Sequence, residues 1–404
     1  MAILHPFRAL RPVPEKVQEI ASVPYDVINT EEARQLAQGK PWSFLHVIRP
    51  EIDLPEGTDE HAPEVYEKGA ENLRRFAESP YFLMEEEPSL YLYRLIMGDR
   101  EQTGIFGTVA VQDYDQDVIL KHEKTRPAKE EDRMKHILAQ RAHAEPVMLT
   151  FKGRPDILEY MEEVKQQAPL YDFVAEDGVR HTIWRIPEPE RLVEAFQRVD
   201  RLYVADGHHR CKAASRVAEV LRQEEGDNPE AEYNFFPAVI FPMEQMQILP
   251  YNRIIKQLPV PADVFLKQLK ERFEVVEGAL PLPQAPGEIA IYLDGKWYGV
   301  KLPPSRQDSV AAQLDVARLG EHILEPMLGI TDPRRDPTID FVGGIRGVQE
   351  LERLVDTGQA AMAISMYPTQ IEQLIAVSDA GELMPPKSTW FEPKLRSGLL
   401  IHPF

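Results

Sequence analysis

Two short tracts concentrate groups that can do chemistry. In Asp206-Gly207-His208-His209-Arg210 a carboxylate, a glycine, two imidazoles and a guanidinium stand side by side. The apolar run Leu202-Tyr203-Val204-Ala205 before it reads as a strand, and Arg210 to Glu225 reads as a helix that Gly226 can end. The tract is therefore a strand-to-helix turn, where the open N–H groups of a helix N-terminus favour an anion. Gly207 lets the backbone turn tightly or approach a ligand, Arg210 can grip phosphate through its two-pronged fork, and either histidine can carry a proton. Asp206 can hold Mg2+ or orient a histidine. The plainer reading of the same residues has Asp206 capping the helix, the histidines satisfying carbonyls and Arg210 as a surface cation.

The second tract is His122-Glu123-Lys124-Thr125, followed by Lys129-Glu130-Glu131-Asp132-Arg133 at a helix start. It can supply a general base and phosphate ligands together. A zinc metalloprotease motif is excluded, because HExxH needs a second histidine where Arg126 stands. For Glu130 and Glu131 a solvated helix start is the simpler account. A third stretch, Met384 to Gly398, sets Lys387, Lys394 and Arg396 among hydroxyls and aromatics. Such a tail can close over an anion, or pack in place through Trp390 and Phe391. Cys211, directly after the first tract, reads as a packed thiol with no resolving partner.

The elements that must position these groups can be read from the pattern around them. Asn29-Thr30-Glu31-Glu32 is a helix start after the extended, proline-punctuated segment Phe7 to Pro24. Pro63 to Ser79 reads as an amphipathic helix, and Pro127 opens a helix over about Ala128 to Ala142. Ser89 to Met97 and Ile105 to Tyr114 look like a hairpin around Gly98 to Gly104. A second hairpin runs from Phe173 to Ile186 through a type I′ turn at Asp177-Gly178. Phe236 to Phe241 and Met246 to Ile255 are further strands, before a proline-rich linker at Pro259-Val260-Pro261. Beyond it the spacing predicts a helix at Ala262 to Arg272, a hairpin across Asp294-Gly295, a helix at Gln313 to Leu328, a strand at Ala361 to Tyr367 and a helix at Thr369 to Asp379. The expected fold class is α+β, with a domain over 1–258 and a smaller α+β domain over 259–404.

Composition narrows the function classes. The chain of 404 residues is 43% hydrophobic and 28% charged, enough for substantial cores. Against 46 Lys and Arg stand 66 Asp and Glu, a net charge of -20 that repels polyanions, so no nucleic-acid partner is expected. A single cysteine excludes an internal disulfide and a multi-cysteine zinc site, in keeping with a reducing compartment. Met1 to Pro14 carries no signal-peptide pattern, and no apolar run approaches the ~18 residues of a membrane span. The reading is a cytoplasmic enzyme with no membrane partner.

Taken together, Phe7-Arg8-Ala9, Val23-Pro24-Tyr25-Asp26-Val27, His122-Glu123-Lys124-Thr125, Ala205 to Arg210, Leu249-Pro250-Tyr251-Asn252-Arg253 and the tail Met384 to Leu399 resemble the domain of unknown function 1015 family from end to end. That family is in turn distantly similar to the ParB/sulfiredoxin-like superfamily and to free serine kinases of the SerK type. The resemblance implies a ParB/sulfiredoxin-like mixed-sheet core that binds nucleotide, with the C-terminal tail returning to the active site.

The implied reaction is Mg2+-dependent transfer of a phosphoryl group from ATP or ADP to the hydroxyl of free L-serine or a similar metabolite. Glu123, His208, His209 and Asp206 would be catalytic, with Asp206 on the metal. Gly207, Arg210, His122, Thr125, Lys129, Arg133, Lys387, Thr389 and Lys394 would hold phosphate or nucleotide, and Tyr25, Asp26, Tyr251, Asn252 and Arg253 the substrate. A nucleotide-binding regulatory NTPase module and a phosphatase acting on a phosphomonoester such as phosphoserine are the alternatives, and a homodimer is left open. Cys211 follows Arg210 where sulfiredoxins place their cysteine before the His-Arg pair, and no basic segment serves as a ParB-type DNA reader. Neither sulfinic acid reduction nor DNA partitioning is expected.

Overall fold

Prolines open several helices. Pro63–Ala77, Pro127–Gln140, Pro155–Lys165 and Pro189–Phe196 each begin on one, where a missing N–H leaves no intrahelical bond unmade. At Thr30–Ala37 the start is a capping box, in which Asn29 accepts from the Glu32 N–H and Glu32 accepts from the Asn29 N–H, both at 2.9 Å. The computed structural model describes residues 1–404, and the chain divides into two units, Met1–Met246 with Pro393–Phe404, and Gln247–Glu392. Both combine helices with sheet, so the chain is α+β.

In the first unit a nine-stranded mixed sheet runs in the order Ile119–Leu120, Leu202–Asp206, Val147–Phe151, Phe235–Pro242, Arg100–Ala110, Tyr91–Met97, Arg180–Arg185, Tyr171–Val174, with Leu4–His5 added onto Arg100–Ala110. Most pairs are antiparallel. The parallel ones are Leu202–Asp206 with Ile119–Leu120, and Phe235–Pro242 with Val147–Phe151. The hairpin turn of Tyr91–Met97 with Arg100–Ala110 is tighter than the sequence suggested, since Met97 already faces Arg100. In the next hairpin Gly178 has φ +81° but Asp177 is not in the left-handed region, so the turn is not the expected type I′.

One core packs this sheet against helix His208–Glu225 through Val147, Leu149, Val204, Cys211, Ala214, Val217, Phe236 and Ile240. A second gathers Leu10, Ile20, Phe44, Leu45, Leu73, Phe76 and the tail residue Ile401. Leu10 and Ile401 exchange backbone hydrogen bonds of 3.0 and 2.9 Å, and His402 pairs with His143. These contacts hold Pro393–Phe404 within the first unit.

The second unit is a six-stranded antiparallel sheet in the order Val275–Glu277, Lys296–Lys301, Glu288–Leu293, Met362–Met366, Tyr251–Ile255, Ile339–Gly343. Alternation sends Ile255, Ile289, Ile291 and Ile364 to one face with Phe265, Leu269, Leu319 and Ile323, and Ile254, Ala290, Tyr292 and Ala363 to the other with Leu351 and Leu354. Asp294 and Gly295 both have positive φ, which makes the hairpin expected across them a type I′ turn. Three expectations need correction. Pro250 splits Met246 to Ile255 into Ile248–Leu249 and Tyr251–Ile255. The helix from Gln313 to Leu328 is broken into Asp315–Leu319, a π-helical turn Gly320–Leu324 and Glu325–Leu328. Strand Ile339–Gly343 and helix Gly347–Asp356 were not foreseen. No helix of the chain is long and apolar enough to cross a membrane.

Candidate functional site

The two chemical tracts meet because their strands are neighbours. Ile119–Leu120 lies in parallel register with Leu202–Asp206, Ile119 opposite Leu202 and Leu120 opposite Tyr203. Each strand therefore delivers the residues at its C-terminal end, His122-Glu123 from one and Gly207-His208 from the other, to the same end of the sheet. In open sheets with parallel strands that end is where ligands bind.

The turn itself is a glycine in left-handed conformation. Gly207 has φ +100° and is the N-cap of helix His208–Glu225, with no side-chain cap hydrogen bond at that end. Its backbone lies close to its neighbours: a Cβ there would stand 3.1 Å from Val147 Cγ1 and 3.2 Å from Arg210 Cζ. The plainer expectation that Asp206 caps the helix is thus not met. Asp206 instead pairs with Lys394, whose Nζ lies 3.2 Å from Oδ2, and with Arg210 Nη2 at 4.0 Å. Burial pushes the Asp206 carboxyl up, but Lys394, Arg210 and His208 outweigh it and hold the group below the usual carboxylate range. Arg210 is buried, donates to the Pro146 carbonyl, and faces Asp26 and Glu145 as well as Asp206.

Around the turn sit three imidazoles. His122 and His208 are buried and meet edge to face, with ring centroids 4.4 Å apart at 89°. Neither ring nitrogen of His122 makes a hydrogen bond of good geometry, although a weak contact with the Val204 backbone favours the charged form. Burial pushes His122 down to about 4 and His208 well below the ordinary histidine value. His209, half-buried, accepts at Nε2 from the Arg126 N–H at 3.2 Å and is lowered to about 4 by burial and by Lys129 and Arg126. Glu123 brings Oε2 to 3.9 Å from His208 Nδ1, with its side chain 42% exposed. The arrangement is a half-open carboxylate beside neutral imidazoles, next to an acid flanked by two cations.

Other residues singled out by sequence are engaged elsewhere in the first unit. Thr125 Oγ1 donates to Glu130 Oε1 at 2.5 Å, and Lys129 is exposed in the first turn of its helix. Arg133 is buried and committed to Asp132, with Nε and Nη2 at 2.9 and 2.6 Å, while its guanidinium stacks 3.8 Å over the Tyr25 ring. Tyr25 is itself buried, with the exposed Asp26 next to it. Glu145, which no sequence signal picks out, ties this network together. It accepts from the Tyr25 N–H and from Ser397 Oγ, each at 3.1 Å, and lies 3.9 Å from Arg133 Nη1.

Lys387, Thr389, Tyr251, Asn252 and Arg253 belong to the second unit. There Asn252 is buried and accepts from the Met366 N–H at 2.9 Å. Arg253, also buried, donates to the carbonyls of Tyr251 and, at 3.0 Å, Lys387; burial pushes its guanidinium down to about 10. Lys387 reaches over the Tyr251 ring at 5.3 Å. Cys211 is fully buried and its thiol is pushed up to about 12, the packed thiol the sequence suggests.

Mg2+ asks for hard oxygen ligands, usually one or two carboxylates completed by water and phosphate. Asp206 is a single carboxylate whose outer oxygen already faces Lys394 and Arg210. As a resident Mg2+ site it does not fit.

Residues 4–317 match the family described as "Protein of unknown function (DUF1015)". The chain belongs to that family. The span that defines DUF1015 here includes both chemical tracts but stops short of the tail, so the end-to-end match read from the sequence is shorter than expected. Comparison of this DUF1015 chain with curated proteins finds no match. Among solved structures it is similar to a free serine kinase in complex with AMP, at 12% identity and TM-score 0.38, covering 73% of this chain and 91% of the other. A conserved hypothetical protein from Pyrococcus furiosus is 12% identical, with TM-score 0.36 and coverage of 73% and 94%. SbnI with a C-terminal truncation, from Staphylococcus aureus, is 14% identical, with TM-score 0.37 and coverage of 73% and 86%.

Proposed function

We propose that the protein is a small-molecule kinase that moves a phosphoryl group from ATP or ADP, supplied as the Mg2+ complex, to the hydroxyl of free serine or a similar metabolite, in the cytoplasm. The observation that carries this reading is the Gly207 turn, where an uncapped helix N-terminus, Lys394 and Arg210 lie around Asp206. Phosphoryl transfer asks mainly for positioning and neutralised charge. The helix N–H groups and Lys394 would receive the donor phosphates, with Arg210 and Asp206 fixing Lys394 and the turn. Glu123, half-open beside His208, would take the proton as the hydroxyl oxygen bonds to phosphorus and the bond from phosphorus to the nucleotide's bridging oxygen breaks. The acceptor is drawn from the family resemblance alone.

Phosphorus NMR of the full chain with Mg2+, ATP or ADP and a pool of hydroxy amino acids tests the reading. A new phosphomonoester signal is expected, with its rate reduced by about 10²- to 10⁴-fold in Glu123→Gln while nucleotide binding is kept. Nucleotide bound but left unchanged under every acceptor would replace the kinase by a regulatory binding module. Phosphate released from phosphoserine without nucleotide would replace it by a phosphatase.

A further inference from the structure

His122, Glu123 and His208 place three potential ligand atoms within 4.8 Å of one another. They come from two chain segments that only the parallel pairing of Ile119–Leu120 with Leu202–Asp206 brings together. His122 is 2% exposed and neither of its ring nitrogens makes a hydrogen bond of good geometry, the nearest backbone group being that of Val204. A buried imidazole without well-formed partners loses the hydrogen bonds it would make in water, and such groups call for an explanation in a native fold. Its neighbour His208 is 5% exposed and turns Nδ1 toward Glu123 Oε2 at 3.9 Å. The one contact at its other nitrogen, from the His122 backbone N–H to Nε2, is long at 3.5 Å.

We infer that His122, Glu123 and His208 form a binding site for a divalent transition ion of the Zn2+, Co2+ or Fe2+ kind. Two imidazoles and one carboxylate suit borderline ions far better than Mg2+, which prefers oxygen alone. Three protein ligands leave a tetrahedral ion one position for water or substrate, the pattern of open, reactive sites rather than closed structural ones. Ligand atoms about 2.1 Å from such an ion stand about 3.4 Å apart, so the trio closes by roughly an ångström as the ion enters. Glu123, with 42% of its side chain exposed, is the member of the trio open to solvent. Asp206, turned to Lys394 and Arg210, is not a ligand in this arrangement. The site shares Glu123 with the proposed base but none of the phosphate-binding groups of the Gly207 turn, so it is tested on metal affinity with no nucleotide present.

Calorimetric titration of the chelator-stripped full chain with ZnCl2, CoCl2 and MgCl2, with no nucleotide present, tests this site. One equivalent of Zn2+ and of Co2+ is expected, Co2+ with a visible absorption band, and Mg2+ at least about 100-fold weaker. His122→Ala and His208→Ala should each weaken Zn2+ by about 100-fold or more, since even partners outside the coordination sphere are worth 10- to 100-fold. Should either buried substitution fail to fold, Glu123→Gln at the half-exposed position should still lower Zn2+ affinity and remove the Zn2+-induced rise in melting temperature. Zn2+ binding unchanged in Glu123→Gln and His208→Ala, meaning adventitious surface histidines only, or affinity no better than for Mg2+, overturns the site. Nucleotide binding, measured separately in the presence of chelator, stands or falls with the kinase reading and not with this one.

Discussion

Lys394 and Asp206 stand 188 residues apart in the chain, yet their side chains meet at 3.2 Å. The pair joins the C-terminal tail to the turn that begins helix His208–Glu225. Lys394 has 15% of its side chain exposed and Asp206 28%, so the bridge lies between the buried and the surface regimes.

Removing one partner of a buried pair costs about 3–5 kcal/mol, and a surface pair about 0–1. With Arg210 still 4.0 Å from Asp206, Lys394→Met is expected to lower stability by about 1–3 kcal/mol in urea unfolding. Combining it with Asp206→Asn should cost less than the sum of the two changes, because the second removes the charge the first strands. Strict additivity would mean that the bridge contributes nothing.

Two glycines of positive φ flank the same helix, Gly207 at +100° and Gly226 at +97°. A Cβ at Gly226 meets nothing within 4 Å, whereas one at Gly207 crowds Val147 and Arg210. Gly226→Ala should cost about 1–3 kcal/mol of backbone strain, because φ +97° with ψ 159° is a conformation essentially restricted to glycine, and leave nucleotide binding alone. Gly207→Ala should cost about 2–4 kcal/mol and weaken nucleotide at least tenfold by displacing Arg210. Equal effects of the two changes on nucleotide affinity would contradict the turn as the phosphate seat.

Gly398 holds the tail in place at φ +85°, and a Cβ there would approach Phe44 Cγ to 2.6 Å. Phe44 is fully buried. Gly398→Ala is expected to destabilise by about 3 kcal/mol or more, visible as a drop in melting temperature. The tail bonds of Leu10 with Ile401 should then exchange their amide hydrogens faster than in the parent chain.

Asp132 carries a pH dependence. Burial raises its carboxyl, but Arg133, His136 and His61 more than offset that and lower it to about 2. A group depressed in the folded state contributes stability above its unfolded value, about 3.9 for Asp, and loses it as pH falls toward the folded value. The contribution at pH 7 is about 2 kcal/mol. Asp132→Asn should therefore be less stable than the parent at neutral pH by at least that amount, since Arg133 is left buried, and the gap should narrow between pH 4 and about pH 2. A gap of the same size at pH 3 and pH 7 would remove the carboxylate from the explanation.

Local chemistry determined much of what could be read from the chain itself. The helix start at Asn29, the helices opened by Pro63 and Pro127, the hairpin across Asp294-Gly295 and the glycine turn after Leu202–Asp206 are each set by residues a few positions apart. The same reasoning failed where local preference is overridden. Helix Asp315–Leu328 is interrupted at Gly320–Leu324, and the Asp177-Gly178 loop takes another shape to suit its strands. What only the tertiary structure decided is which distant segments become neighbours. The contact of His122 with His208, of Lys394 with Asp206, and the part of Glu145 between Tyr25, Arg133 and Ser397 all depend on strand pairing and core packing across long loops. Such pairing is chosen by burial summed over the whole sheet, so no short stretch of sequence carries its signature.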